Sequence, residues 1–388
     1  MRKVYLDANA TTITHPEVIR EMLPFFDRIY GNASSVHRFG REARKHLERA
    51  RVKVAALVHA DSPEEIVFTS EGTESDNFAI KGVAAAEKDK GKHIITSSVE
   101  HHAVLNTCKY LEKKGFEVTY LDVDGYGVVD LDQLRDAIRE DTILISIMAA
   151  NNETGTIMPI EEIGAVAAGK GVVFHTDAVQ LAGKIPFDVN NAGAQLVSLS
   201  GHKINGPKGV GALYIRKGTK IEKCQHGGHH EMNYRAGTEN VPAIVGFGKA
   251  SEIALERGVG NYDKVRLLRD KLYDRIKAEI SHVRLNGHPE KRLPNTLNVS
   301  FEYLEGESVI LSLDLEGIAV STGSACTSGN LEPSHVLKSM GVEPLFAQGS
   351  VRFSLDVFNT EQDIEYVMGK LPPIIERLRK MSPVYPVD

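Results

Sequence analysis

From about residue 15 to residue 260, short β-rich apolar runs alternate with stretches whose apolar positions recur at helical spacing. The runs Ile66–Thr69, His93–Ser97, Glu117–Leu121, Ile143–Ala149, Val172–Thr176, Leu196–Ser200 and Ala212–Ile215 predict strands. Between them, Arg41–Val58, Val104–Lys114, Leu131–Glu140 and Ile160–Gly169 predict helices. Alternation of this kind predicts a mostly parallel α/β sheet covered on both faces. Ligands of such sheets gather at the C-terminal ends of the strands, so the polar clusters that follow these runs are where chemistry is expected. After the charged helical segment Asp263–Glu279 the texture changes. Thr296–Phe301, Ile318–Ser321 and Val351–Leu355 read as strands, separated by the helices Glu307–Asp314 and Glu361–Lys380. The expected organisation is a large domain over 15–260 and a smaller α+β domain formed by 1–14 and 261–388.

Composition narrows the class without naming an activity. A chain of 388 residues, 42% hydrophobic and 25% charged, has the make-up of an ordinary globular protein of two domains. Its net charge of −6 argues against a general nucleic-acid or membrane binder. The three cysteines, Cys108, Cys224 and Cys326, imply no disulfide framework, and with the Met1–Arg2–Lys3 opening they suggest a reducing cytoplasm.

The strand ends carry the candidate chemistry. Ser200–Gly201–His202–Lys203 follows the Leu196–Ser200 run, and Gly206, Pro207 and Gly209 mark sharp backbone beyond it. A lysine held on such a turn, rather than on a helix face, is suited to Schiff-base chemistry with a carbonyl cofactor. Ser70–Glu71–Gly72–Thr73–Glu74–Ser75 leads a strand into a helix. That arrangement makes either a phosphate cradle or a plain cap in which Thr73 faces Asp76. Asp177, with Gln180 three residues on, is either a partner for a pyridinium nitrogen or a helix cap. His101 is placed to stack on a planar group or carry protons, and Asn151–Asn152–Glu153 ends another strand in the same cleft.

Taken together, these motifs resemble the cysteine desulfurases of the NifS/IscS type. The resemblance rests on Tyr5-Leu6-Asp7 with Ala10-Thr11-Thr12, Thr73-Glu74-Ser75-Asp76-Asn77, Glu100-His101, Asn151-Asn152-Glu153 and Asp177-Ala178-Val179-Gln180. It continues through Ser200-Gly201-His202-Lys203, Arg235-Ala236-Gly237-Thr238-Glu239-Asn240 and Ser324-Ala325-Cys326, in order along the whole chain. It implies pyridoxal phosphate fold-type I, with a mostly parallel seven-stranded sheet flanked by helices and a smaller α+β domain, working as a homodimer. It implies that Lys203 holds pyridoxal 5'-phosphate, Asp177 pairs with the ring nitrogen, Gln180 approaches the ring hydroxyl and His101 stacks on the ring. Gly72, Thr73, Ser200 and His202 would bind phosphate, with Thr238 reaching in from a second subunit. Asn152 and Arg352 would hold the carboxylate of L-cysteine.

Cys326 lies in Ser321–Asn330, rich in glycine and small polar residues, which reads as a mobile loop bearing an accessible thiol. The resemblance implies that Cys326 takes sulfur from cysteine as a persulfide, leaving alanine. It would then pass the sulfur to an iron–sulfur scaffold protein or another acceptor such as a tRNA-thiolation relay. A transient 2Fe–2S cluster shared through Cys326 is a further expectation, and a selenocysteine lyase and a cofactor-stabilised scaffold offering Cys326 as an iron–sulfur ligand are the competing readings. Direct binding of nucleic acid or membrane is not expected. Two departures stand out. Ala8-Asn9-Ala10-Thr11-Thr12 replaces the family's Asn-Ala-Ala-Thr-Thr, an expected change at the cleft edge. His229 to Met232 replaces Gly-Gln-Glu-Arg, which puts Cys224, His226, His229 and His230 within seven residues. A polar loop is the expectation there, and a zinc site the alternative.

Overall fold

The computed structural model describes residues 2–322 and 333–386. Its strands are β1 (Val4–Tyr5), β2 (Ile66–Thr69), β3 (His93–Ser97), β4 (Glu117–Leu121), β5 (Thr142–Ser146) and β6 (Val173–Asp177), followed by β7 (Leu196–Ser200), β8 (Gly211–Ile215), β9 (Val283–Asn286), β10 (Thr296–Phe301), β11 (Ile318–Ala319) and β12 (Ser350–Ser354). Seven of them form one sheet in the order β2-β8-β7-β6-β5-β3-β4. Only β8 runs antiparallel to its neighbours.

Period-two alternation is what lets this sheet carry helices on both faces. Val67, Ile94, Leu144, Leu196 and Leu213 pack with Phe78, Val83, Val104 and Cys108 of the helices Gly72–Ala86 and His102–Glu112. Their neighbours Phe68, Ile95, Ile145, Val197 and Tyr214 face the opposite way, against Leu47, Val54, Ile163 and Phe247. The fully buried Cys108 is thus a core residue, and burial pushes its thiol up to about 12.

The second unit is a three-stranded antiparallel sheet, β12-β10-β9, with the helices Gly306–Leu315 and Glu361–Met381 packed on it. Strand β1 pairs in parallel with β11, and Leu6 joins this core, so the first residues of the chain are tied to its last third. The expected helix Asp263–Glu279 proves to be the second half of a 39-residue helix, Val241–Glu279. Its first half packs in the core of the large sheet and its second half in that of the small one. Gly246 and Gly248 disguise the first half in the sequence. A Cβ on Gly248 would meet Ala50 Cα at 2.6 Å, so this glycine allows close approach to the helix Arg38–Leu57, while one on Gly246 would meet Met22 Sδ at 2.6 Å. Among the described residues no helix is long and apolar enough to cross a membrane.

Candidate active site

The C-terminal ends of β2, β3, β5, β6 and β7 converge, and the segment Asp7–Thr12 closes over them. Lys203 ends a single 3-10 turn, Gly201–Lys203, directly after β7, rather than an irregular loop. The turn is tight because Ile204 and Gly206 N–H groups both bond to Gly201 O, at 3.2 and 3.0 Å. A Cβ on Gly206 would lie 2.6 Å from that oxygen, so only glycine closes it. The Lys203 amine donates to Asn9 O at 2.5 Å and to Ala10 O at 2.9 Å.

Asp177 is the last residue of β6. Its Oδ1 accepts from Val179 N–H at 2.9 Å within a turn, and no helix lies between β6 and β7, so the helix-cap alternative is corrected. Burial pushes its carboxyl up to about 6, against the opposing pull of Val179 N–H and of Lys203. Beside it lies Asp76, which is 1% exposed. Burial first, then the Asp177 carboxylate, push Asp76 well above the carboxylate range. Asp76 Oδ1 sits 3.7 Å from His175 Nε2 and has no hydrogen-bond partner among the described residues. His175 bonds Ser146 and Ser198 hydroxyls, and burial lowers it to about 3. The Thr73–Asp76 cap is therefore corrected: Asp76 faces inward beneath Asp177, and the helix starts at Gly72 with no side-chain cap.

His101 caps the helix His102–Glu112 by accepting Ala103 N–H on Nδ1 at 3.2 Å, which leaves the ring proton on Nε2. Burial, with Lys203 adding to it, lowers His101 to about 4, so the ring is neutral at neutral pH. His202 Nδ1 meets Thr11 Oγ1 at 3.1 Å and is likewise lowered to about 4, by burial and then Lys203. Arg352 is 2% exposed on β12. Its Nη2 donates to Asp7 Oδ1 at 2.7 Å and its Nη1 to Asn152 O at 3.0 Å. Its Nε is buried without a partner among the described residues. Gln180 donates to Asn9 O at 3.0 Å.

The structure thus brings Lys203, Asp177, Gln180, His101, His202, Asn152 and Arg352 around one space. Gly72, Thr73 and Ser200 form its wall at the start of the helix Gly72–Ala86, where a Cβ on Gly72 would stand 3.7 Å from Ser200 Cβ. Ser200 Oγ is buried and without a hydrogen-bond partner among the described residues. An uncapped helix start beside an unsatisfied hydroxyl is what a phosphate-sized anion requires. Thr238 is exposed. Cys326 lies outside the described residues.

Sequence reasoning assigned no role in the site to four contributors: Asp7, Asn9, Asp76 and Lys184. Asn9 is not at the cleft edge as expected but buried, 2% exposed. Its side chain bonds Asn152 O, Thr296 Oγ1 and Asn295 Nδ2. Only the four-residue spacing between Gln180 and Lys184 hinted at a shared surface. In the 224–230 stretch, the candidate ligands serve local contacts. His229 meets Asn233 Oδ1 at 3.1 Å and His230 accepts Gly237 N–H at 3.2 Å. Glu231 forms a buried pair with Arg51 at 2.7 and 2.8 Å and accepts Phe68 N–H at 2.7 Å, fastening β2. No group of three or more metal-ligating side chains is present among the described residues.

Comparison with known proteins follows this geometry. Residues 4–367 match the aminotransferase class-V family. A relative from Dictyoglomus turgidum, a cysteine desulfurase IscS, is 56% identical over 98% of this chain and 97% of its own. A NifS-like protein of known structure superposes with a TM-score of 0.92 at 44% identity, over 97% of this chain and all of the other. The structure of SspA in complex with cysteine gives a TM-score of 0.82 at 37% identity, over 92% of this chain and all of that one.

Proposed function

This chain belongs to the class-V aminotransferase family and is a cysteine desulfurase, and on that premise we propose that Lys203 carries pyridoxal phosphate and Cys326 takes the sulfur of L-cysteine. The observation that carries the reading is the set of unsatisfied groups around Lys203. Ser200 Oγ and the uncapped helix start at Gly72 suit a phosphate, Asp177 suits a ring nitrogen, and the idle Arg352 Nε suits a carboxylate. When bound, the cofactor supplies an electron sink for charge developing at the substrate Cα.

The chain's own residues do the rest. Asp177, raised by burial to about 6, would hold the ring nitrogen of the bound cofactor and favour its protonated form. His101, with Nδ1 engaged by the backbone and its proton on Nε2, would cover the ring as a neutral imidazole with Nε2–H as its donor. Arg352 and Asn152 orient the substrate carboxylate, with Asp7 fixing the guanidinium plane. The Lys203 amine would take the Cα proton of the bound substrate.

Cys326 thiolate then attacks the substrate Sγ. An S–S bond forms to Cys326, the substrate Cβ–Sγ bond breaks, and its electron pair stays with carbon. Protonation there yields alanine, and a thiol acceptor later reduces the persulfide. An iron–sulfur scaffold protein or a thiolation relay fits as that acceptor. The exposed apolar side chains Ile13, Phe26, Tyr30, Val36 and Phe39 suit burial against a second copy of this chain, which would bring its Thr238 to the phosphate.

The test is alanine and sulfide release from L-cysteine with a thiol reductant. Wild type should make both in equal amounts, Lys203→Ala neither, and Cys326→Ala neither. Full activity in Cys326→Ala would replace the persulfide route with a direct lyase.

A further inference from the structure

Lys184 is 2% exposed, which for a lysine requires a built reason. It lies one turn beyond Gln180, after β6. Its Nζ donates to Gln180 Oε1 at 2.8 Å and reaches Asn9 Oδ1 at 3.4 Å. Gln180 in turn donates from Nε2 to Asn9 O at 3.0 Å, the same carbonyl that accepts from Lys203 Nζ. Lys184, Gln180 and Asn9 therefore form a closed ring of contacts, with Lys203 attached to it at Asn9 O. In it Asn9 takes one lysine on its side chain and the other on its main chain.

This ring fixes the Gln180 amide. An acceptor-only carbonyl faces its nitrogen and a donor faces its oxygen, so the two neighbours specify the same orientation. With Nε2 pinned to Asn9 O by one N–H, the second N–H is left to serve the site. Burial lowers Lys184 to about 7, with Lys203 and Arg352 adding to the shift and Asp356 opposing it. The amine is a donor to Gln180 in either protonation state.

We propose that Lys184 is a positioning residue for the cofactor: it holds Gln180 so that the free amide N–H is aimed at the ring hydroxyl oxygen beside Lys203. The inference rests on the proposed binding of pyridoxal phosphate by Lys203. A donor on that oxygen favours its deprotonated form. Loss of the positioned N–H raises the pH at which the visible band of the bound cofactor titrates, and it speeds cofactor release.

The experiment is an absorbance titration of holoenzyme reconstituted with pyridoxal 5'-phosphate, from pH 6 to 10, with the rate of cofactor release followed separately. Lys184→Met is expected to move the midpoint up by about 0.5 to 1 pH unit, roughly three- to tenfold in the proton-dissociation constant. In a Gln180→Ala background the same substitution should move it by less than about 0.2 unit, because the route through Gln180 is already gone. An unchanged midpoint in Lys184→Met, or an equal shift in both backgrounds, overturns the inference. If the Met variant does not fold, Lys184→Gln decides, since it keeps a donor at shorter reach. A midpoint between wild type and Gln180→Ala supports the coupling, and one outside that interval overturns it. A wild-type protein that takes up no pyridoxal phosphate refutes the reading beneath it instead, so the two failures are distinct.

Discussion

Glu231→Gln should destabilise the large sheet, although Glu231 lies outside it, in a 3-10 turn between β8 and the helix Val241–Glu279. Glu231 and Arg51 are both almost fully buried and meet through two N–H···O bonds of 2.7 and 2.8 Å. The same carboxylate accepts Phe68 N–H, and Arg51 also donates to Ile66 O at 2.6 Å and stacks over the Phe68 ring at 4.8 Å. The amide variant keeps an acceptor for Phe68 but leaves the Arg51 charge buried. Removing one partner of a buried pair costs about 3–5 kcal/mol. Arg51 retains Glu48 Oε2 at 2.9 Å, a half-exposed carboxylate, which places the cost near the lower end, about 3 kcal/mol. At about 2.1 cal/mol/K per residue, the unfolding entropy of this chain is about 0.8 kcal/mol/K, so the melting temperature should fall by about 4 °C. The chain has no tryptophan, so the transition is best followed by circular dichroism or calorimetry. The double variant Arg51→Met/Glu231→Gln removes the charge together with its need for a partner. Its cost should therefore fall short of the sum of the two single costs, with a coupling of about 2 kcal/mol. Additive single effects, or a loss that disappears in 0.5 M salt as a surface pair's would, refute the argument.

Three further outcomes follow from the same structure. Gly72→Ala puts a Cβ 2.7 Å from Val179 Cγ2, and overpacking of about 1–3 kcal/mol should weaken cofactor affinity by roughly five- to a hundredfold. Equilibrium dialysis reads it, and Val179→Ala in the same chain should restore most of the loss. Burial holds His101, His175 and His202 below their ordinary titration, so between pH 6.5 and about 4 the unfolded chain binds protons that the native one refuses. Their contribution is fully present above pH 6.5 and is lost as the pH falls below it. His175→Gln should flatten that decline by about 1.4 kcal/mol per pH unit; parallel curves for variant and wild type would refute the neutral buried ring.

Much of this was legible because it is local. Alternation in Ile66–Thr69 or Leu196–Ser200 names both faces of a strand, and the residues just past each strand end fall in the cleft by topology alone. What was hidden depends on partners far along the chain. Asp76 reads as a cap until the sheet turns it under Asp177. Lys184 reads as a surface lysine until Asn9 folds onto it. The first half of the helix Val241–Glu279 is masked by glycines whose reason lies far back along the chain, in Met22 for Gly246 and in Ala50 for Gly248.

The seam between Asp7–Thr12 and the rest of the site sets an order of assembly. Asn9 N–H meets Ser354 Oγ across 345 residues, while the same residue's carbonyl receives Lys203. At roughly 5–20 residues per second, a ribosome needs about 20–70 s to make that span. All seven strands of the large sheet are synthesised well within it. A chain arrested before β12 has the sheet and the lysine but lacks Arg352 and the strand that anchors Asn9. The last strand thus works as a completion check, and a truncated product is left without the guanidinium proposed to hold the substrate carboxylate.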